Sequence, residues 1–216
     1  MIVAVVDPGS GNLNSVARAL IRAGELAGLA PEIRITRNAE QVRLADRVVL
    51  PGQGAFDACR AGLAALTGMT EALAEVGLRR ARPFLGICVG MQLLAERGLE
   101  HGPVDGLAWL PGEITPMDPR DESGAPLPLP QMGWNRLRPN AGHPLLAGLP
   151  DAPYGYFVHS FAWSGADPAD ILATAVYGGE VTAMIGRGNL AGTQFHVEKS
   201  GMTGLSILRN FLAWSP

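Results

Sequence analysis

The chain is poor in the features that define several large protein classes. It has two cysteines, Cys59 and Cys88, in 216 residues. That is too few for a disulfide framework, and a reduced, cytoplasmic setting is the expectation. No apolar run approaches the ~20 residues that cross a bilayer. Met1–Asp7 also lacks the basic start, apolar core and cleavage site of a secretory signal, so no membrane partner is expected. Basic residues form no long run and the formal net charge is −3, which argues against nucleic acid as the main partner. The histidines and cysteines show no metal-ligand spacing, and neither a metal nor a cofactor is expected. Repeats and low-complexity tracts are absent. The 28 glycines and 17 prolines are spread through turns, which implies many short connections rather than disorder.

What remains is 47% hydrophobic residues in 216, enough for one domain, 1–216, with a sizeable core. Ile2–Val6 is a continuous β-rich run, the pattern of a strand buried on both faces. A turn cluster follows, and then Leu13, Val16, Ala17, Leu20, Ile21 and Gly24 form a stripe at helical spacing. Glu32–Thr36 and Arg47–Leu50 read as further strands, and Ala58–Ala65 and Thr70–Arg80 as helices. Strand–helix–strand order at this spacing implies parallel βαβ units. Beyond the middle of the chain, strands are expected at Glu113–Met117, Gln131–Leu137, Tyr154–Phe161, Ile171–Tyr177, Val181–Arg187 and Leu190–Val197. Pro119–Pro130 reads as an exposed excursion, and a loop runs on through Pro150. Turns at Gly178-Gly179 and Gly188-Asn189 mark antiparallel hairpins, and a last helix spans Gly201–Trp214. The fold class is therefore α/β: a mostly parallel central sheet flanked by helices, with an antiparallel extension of the same core.

One stretch carries chemistry. Pro83–Ile87 is a short apolar run, Cys88 follows it, and Met91, Leu93 and Leu94 open a helical pattern. Glycines stand two residues before and after the cysteine, at Gly86 and Gly90. This is the spacing of a nucleophile elbow with sulfur in place of a serine oxygen. Small residues at those two positions let the turn close, and a helix N-terminus at the sulfur favours thiolate. Cys59 has no such surroundings and reads as a packing residue. A thiol nucleophile needs a base, and the base needs an orienting acceptor. In Gln194-Phe195-His196-Val197-Glu198, residues two apart on an extended segment share a side. Glu198 is then placed to steer His196, and His196 to face Cys88. His101 and His143 fall in loops, and His159 has no acid two residues away. Acyl transfer also needs donors at the developing oxyanion. Val89 N–H is one, and the loop Pro51-Gly52-Gln53-Gly54, at the end of another parallel strand, is the natural second source. The set defines a reaction class: thioester-forming attack on an amide or ester carbonyl.

These residues carry a resemblance. Gly86-Ile-Cys88-Val-Gly90-Met-Gln92 and Gln194-Phe-His196-Val-Glu198-Lys-Ser200 resemble the class I, or triad, glutamine amidotransferases. Asp7–Ser15, Pro51–Phe56, Met132-Gly-Trp134-Asn135 and Tyr156–Ser160 resemble, in order, further signatures of that family's glutaminase subunits of imidazole glycerol phosphate synthase. The resemblance implies a flavodoxin-like α/β fold and a Cys88, His196, Glu198 triad that hydrolyses L-glutamine to glutamate and ammonia. It also implies a heterodimer with a (β/α)8-barrel cyclase subunit that consumes the ammonia. Gly52 and Val89 would serve the oxyanion, and Gln92, Glu100, Tyr156, His159 and Ser160 would hold glutamine. Asn12, Trp134 and Asn135 would face the cyclase, with Asn12 as a helix cap and Trp134 as core filler the plainer alternatives. Two positions depart from the family pattern: Gln53 stands where the oxyanion loop usually has valine, and Val197 where the family has proline after the histidine. Rival readings are a glutaminase subunit of another ammonia-using synthase, a non-catalytic regulatory homologue, and a cysteine peptidase or esterase using the same triad.

Overall fold

The structure is a computed structural model that describes residues 1–140 and 142–216. The loop expected to run on to Pro150 contains residue 141, which lies outside the described residues. In chain order the first half comprises β1 (Ile2–Val6), α1 (Leu13–Leu26), β2 (Glu32–Thr36), α2 (Ala39–Arg43), β3 (Arg47–Gly52), α3 (Phe56–Ala64), α4 (Met69–Ala74), β4 (Phe84–Cys88) and α5 (Val89–Gln92). The second comprises β5 (Arg97–Gly98), β6 (Val104–Asp105), β7 (Glu113–Pro116), β8 (Gln131–Pro139), β9 (Tyr154–His159), β10 (Phe161–Ser164), β11 (Ile171–Val176), β12 (Glu180–Arg187), β13 (Leu190–Thr193) and α6 (Gly201–Ala213).

Nine strands form the central sheet in the order β2-β1-β3-β4-β13-β12-β11-β8-β9. From β2 to β13 neighbours run parallel. From β13 to β9 they run antiparallel. The switch is at β13, a parallel partner of β4 on one side and a hairpin partner of β12 on the other. The apolar runs explain the placement: Val3–Val6 and Phe84–Ile87 are buried along their length, as strands covered on both faces must be. Helix α1 lays Val16, Leu20 and Ala23 against the core and packs beside α6.

Several expectations needed correction. Thr70–Arg80 is not one helix: α4 ends at Ala74 and a π-helical turn, Glu75–Arg79, follows. Apolar periodicity cannot distinguish those two windings. The short α2 was not foreseen, because its five residues are too few to show a period. Tyr154–Phe161 is not one strand. The chain leaves β9 at His159, and β10 joins a separate four-stranded sheet, β10-β7-β5-β6, instead of extending the first. Leu190–Val197 also ends early, with β13 closing at Thr193. No helix among the described residues is long and apolar enough to cross a membrane.

Candidate active site

The site lies where the parallel strands end, the place at which open α/β sheets present loops to ligands. Gly52 of β3 and Cys88 of β4 are register partners, so the glycine loop and the cysteine emerge side by side. Cys88 has φ +54° and ψ −115°, a conformation a non-glycine residue keeps only when its surroundings over-determine it, at a cost of about 1–3 kcal/mol. Those surroundings are steric. A Cβ on Gly86 would lie 2.5 Å from Gly90 O, and one on Gly90 would lie 1.7 Å from Leu50 O. Gly52 packs as closely, since a Cβ there would be 2.8 Å from Gly90 N. The helix behind the cysteine is shorter than expected. Val89–Gln92 is four residues, too short for much of a macrodipole, so individual N–H groups and side chains must do what the helix end was expected to do.

His196 and Glu198 come together, but not by strand alternation. The strand has ended, His196 precedes a 3-10 turn at Val197–Lys199, and the turn brings Glu198 Oε1 to 2.9 Å from His196 Nδ1. Valine in place of proline is compatible with this turn. His196 N–H donates to Tyr156 O at 2.9 Å, and Ser200 Oγ–H donates to His196 O at 2.7 Å. Helix α6 presses on the turn: a Cβ on Gly204 would lie 1.8 Å from Val197 O. Burial alone would make the His196 ring give up its proton. Hydrogen bonds with Cys88 and Glu198, and their negative charges, outweigh it and push the imidazole up to about 10. The ring therefore holds its proton at neutral pH, facing the sulfur with Nδ1 turned to the carboxylate.

A cleft of about 320 Å³ opens over the sulfur, lined by Cys88, Val89, Gln92, Glu100, His159, Ser160 and His196 among others. Two residues expected to bind substrate do not line it. Gly52 lies behind Gln53 and Gly54, which do. Tyr156 is not among the lining residues, and its ring meets Trp134 edge-on, 5.6 Å between centroids, with Lys199 Nζ of the cleft wall 5.8 Å from its centre. Glu100 lines the cleft and accepts from Phe56 N–H at 2.8 Å, which ties the first turn of α3 to the site. His159 donates from Nδ1 to Phe161 O at 2.8 Å and its Nε2 is buried without a partner. Burial, with the nearby His196 charge, drops its ring to about 4 against the pull of that hydrogen bond, so it is neutral and Nε2 is an acceptor.

Of the residues expected at a partner surface, Trp134 is 55% exposed rather than core filler. Asn12 is exposed and its side chain does not cap α1. Asn135 is engaged within the chain, accepting from Gln131 Nε2 at 3.0 Å and donating to Val176 O at 3.2 Å. Lys199 in the cleft wall and Gln194 behind the sulfur were not expected. Both lie in the His196 segment, and only their proximity to it could have flagged them.

The site thus sets a strained cysteine at the ends of the parallel strands of a mixed sheet, with a carboxylate-oriented histidine beside it. The glutamine amidotransferase class-I family model matches residues 4–214, and the chain belongs to that family. It is 56% identical over 217 residues to "Imidazole glycerol phosphate synthase subunit HisH" of Rhodospirillum rubrum, the alignment covering 100% of both chains. It is 51% identical over 219 residues to the protein of the same name from Rhodopseudomonas palustris, again over 100% of both. Among solved structures, one described as a glutamine amidotransferase superposes with TM-score 0.68 at 17% identity, covering 99% of this chain and 98% of that one. Another, a glutamine amidotransferase from Thermotoga maritima, gives 0.60 at 15% identity, covering 98% and 96%. At such identities these two speak for the fold alone.

Proposed function

We propose that this chain is the glutaminase subunit of an imidazole glycerol phosphate synthase, working in the cytoplasm as a heterodimer with a cyclase subunit. The observation that carries the chemistry is the strained Cys88 beside a His196 that Glu198 holds at 2.9 Å. The full-length likeness to the two bacterial subunits supports the particular substrate and partner.

The geometry gives each group a task. Cys88 sulfur attacks the side-chain carbonyl carbon of glutamine, and the carbonyl π pair moves onto oxygen. Val89 N–H and the Gly52–Gly54 loop stabilise that oxyanion. His196 gives its proton to the departing nitrogen, the C–N bond breaks, and ammonia leaves a glutamyl thioester on Cys88. Neutral His196 then takes a proton from water as its oxygen attacks the thioester. The C–S bond breaks, the new carboxylic acid releases its proton to solvent and departs as glutamate, and thiolate and imidazolium are restored. Glu198 keeps Nδ1–H oriented throughout and steadies the positive ring.

Gln92, Glu100, His159 and Ser160 hold the amino-acid end of glutamine, the Glu100 carboxylate taking the ammonium. Tyr156 acts indirectly, through its carbonyl on His196 N–H and its ring against Trp134. Trp134 and Asn12 present exposed surface to the cyclase, which converts the ammonia into imidazole glycerol phosphate and aminoimidazole carboxamide ribotide. The test is the rate of glutamate release by the chain alone, with the cyclase, and with the cyclase and its ligand. A low rate alone, raised by the liganded cyclase, is expected. No stimulation by the cyclase, with stimulation by a chorismate-using or other synthase, would move the chain to another branch of the family. Cys88→Ala must abolish the reaction while keeping cyclase binding. Glutaminase activity surviving that change would overturn the nucleophile assignment.

A further inference from the structure

Two glutamines behind the nucleophile have a polarity fixed by one backbone carbonyl. Phe161 O can only accept. It receives His159 Nδ1–H at 2.8 Å and Gln92 Nε2–H at 3.2 Å, which decides which way the Gln92 amide faces. The second hydrogen on the same nitrogen goes to Gln194 Oε1 at 3.0 Å. Gln194 Oε1 is therefore turned toward Gln92, and its Nε2 faces Cys88 Sγ at 3.8 Å. Turning the Gln194 amide over would set two NH2 groups against each other and present an acceptor to the sulfur. Burial secures the arrangement, Gln194 being 0% and Gln92 4% exposed, so neither amide can exchange its partner for bulk solvent. Gln92 keeps its Oε1, not its NH2, free of protein donors, which makes it an acceptor wall of the cleft.

We propose that Gln194 is a catalytic residue: its amide N–H is a neutral donor to the Cys88 sulfur that favours the thiolate before attack and again when the thioester collapses. The inference rests on Cys88 being the nucleophile. The chemistry explains why an amide occupies this place. A second cation would compete with His196 for the same charge, and an acid could return a proton to the sulfur. An amide stabilises negative charge and has no proton to give up in the working range. It also supplies what the four-residue α5 cannot, a donor to the sulfur from a fully buried side chain outside the cleft lining. Gln92 is the positioning residue, since it holds the acceptor end of Gln194 away from the sulfur.

The test is the pH dependence of Cys88 alkylation by iodoacetamide, followed by intact mass and peptide mapping in the full chain. Gln194→Met removes the donor at similar volume. The alkylation profile is expected to move to higher pH by about one unit, tenfold in reactive fraction at a given acidic pH. Gln92→Met leaves the donor but frees it to turn, and should move the profile the same way by less. Superimposable profiles for folded Gln194→Met and wild type would overturn the proposal. Should Gln194→Met not fold, the unmutated protein decides. With 15N-labelled glutamine, one side-chain amide signal must titrate with the midpoint of Cys88 alkylation and lose that titration in Cys88→Ser. No such signal overturns the proposal. A wild-type Cys88 that is inert to iodoacetamide and releases no glutamate would refute the glutaminase reading itself, a result distinct from either.

Discussion

His159 gives the protein a built-in sensitivity to acid that can be isolated from every other titrating group. Its ring is 6% exposed and titrates at about 4 in the folded chain, against an ordinary 6.5. Burial is the main cause, reinforced by the His196 charge and opposed by the hydrogen bond to Phe161 O. Because the folded value is depressed, the unfolded chain binds a proton first as pH falls. The stability is present in full above 6.5 and is lost as pH falls toward 4. The complete gap corresponds to about 3 kcal/mol at ~1.4 kcal/mol per pH unit, and at about pH 4.5 some 2.5 kcal/mol of it is already gone. Against the ~5–15 kcal/mol that a typical domain has in total, this is a large share. The assay is urea unfolding at neutral pH and at about pH 4.5 for wild type and His159→Phe. Phenylalanine keeps a ring but cannot protonate. It loses the bond to Phe161 O, so the variant starts lower. From there the wild type must lose more stability than the variant on acidification, by about 2 kcal/mol. Carboxylates such as Asp57 and Glu75, both held below their ordinary range by hydrogen-bonded partners, titrate in both proteins and cancel in the difference. Equal losses in the two proteins would show that the buried ring does not resist protonation, and the reasoning would fail.

Other perturbations bear on the elbow, the base and the exposed face. Glu198→Ala removes the acceptor from His196 Nδ1, so kcat should fall by about 10²–10⁴. The alkaline limb of the pH–rate profile, set by a ring held up to about 10, should move to lower pH. An unchanged limb would refute the electrostatic account. Gly90→Ala puts a methyl 1.7 Å from Leu50 O, a backbone atom, and should cost more than about 3 kcal/mol or abolish folding, as read by circular dichroism and urea unfolding. Trp134→Ala removes an exposed ring, and should lower the cyclase-stimulated rate and the affinity for the cyclase while leaving the lone chain's melting temperature within a few degrees.

What could be read from the chain divides along physical lines. Strand boundaries were legible at both the centre and the edge of the sheet: Ile2–Val6, an apolar run buried along most of its length, and Glu32–Thr36, an edge strand that alternates charged residues with isoleucine, are bounded as their residues imply. Cys88 was legible because the Gly86 and Gly90 spacing is a steric requirement. The His196–Glu198 pairing was legible but its geometry was not. A separation of two residues serves a strand and a tight turn equally, and the turn is chosen by Ser200, Gly204 and the close approach of α6. The split between β9 and β10 was hidden for a similar reason, since Tyr154–Phe161 is continuous in pattern and only the pairing of Phe161–Ser164 with Glu113–Pro116 pulls it apart. Gln194 was legible as part of the His196 segment, but its contact with the sulfur was not. Its meaning comes from Phe161 O, 33 residues away, through Gln92, and no local pattern encodes a polarity set at that distance.

The same network explains why a strained backbone and a coupled pair of charges can coexist at one residue. Cys88 is held at positive φ by contacts that leave it little freedom: Leu50 O against Gly90, Gly90 O against Gly86, and the Met91 side chain in the space a Gly192 Cβ would fill, 2.6 Å away. A sulfur fixed in this way cannot move to meet its partners, so the partners must be fixed to meet it. His196 is held through its own N–H and C=O by Tyr156 and Ser200, and Gln194 is held through Gln92. Each is anchored to β9 or to the segment that follows it, and β9 lies at the edge of the central sheet, four strands beyond β13. The chain must therefore close the antiparallel half of its sheet back over the parallel half before the sulfur has its donor. Loosening β9, for instance by Gly155→Ala, whose methyl would lie 2.7 Å from the Phe195 ring, should weaken Cys88 reactivity without touching the elbow. Alkylation of Gly155→Ala at neutral pH is expected to be slower than wild type by a larger factor than its loss of secondary structure, measured on the same sample, accounts for. A variant as reactive as wild type would mean that the elbow alone sets the reactivity of the thiol.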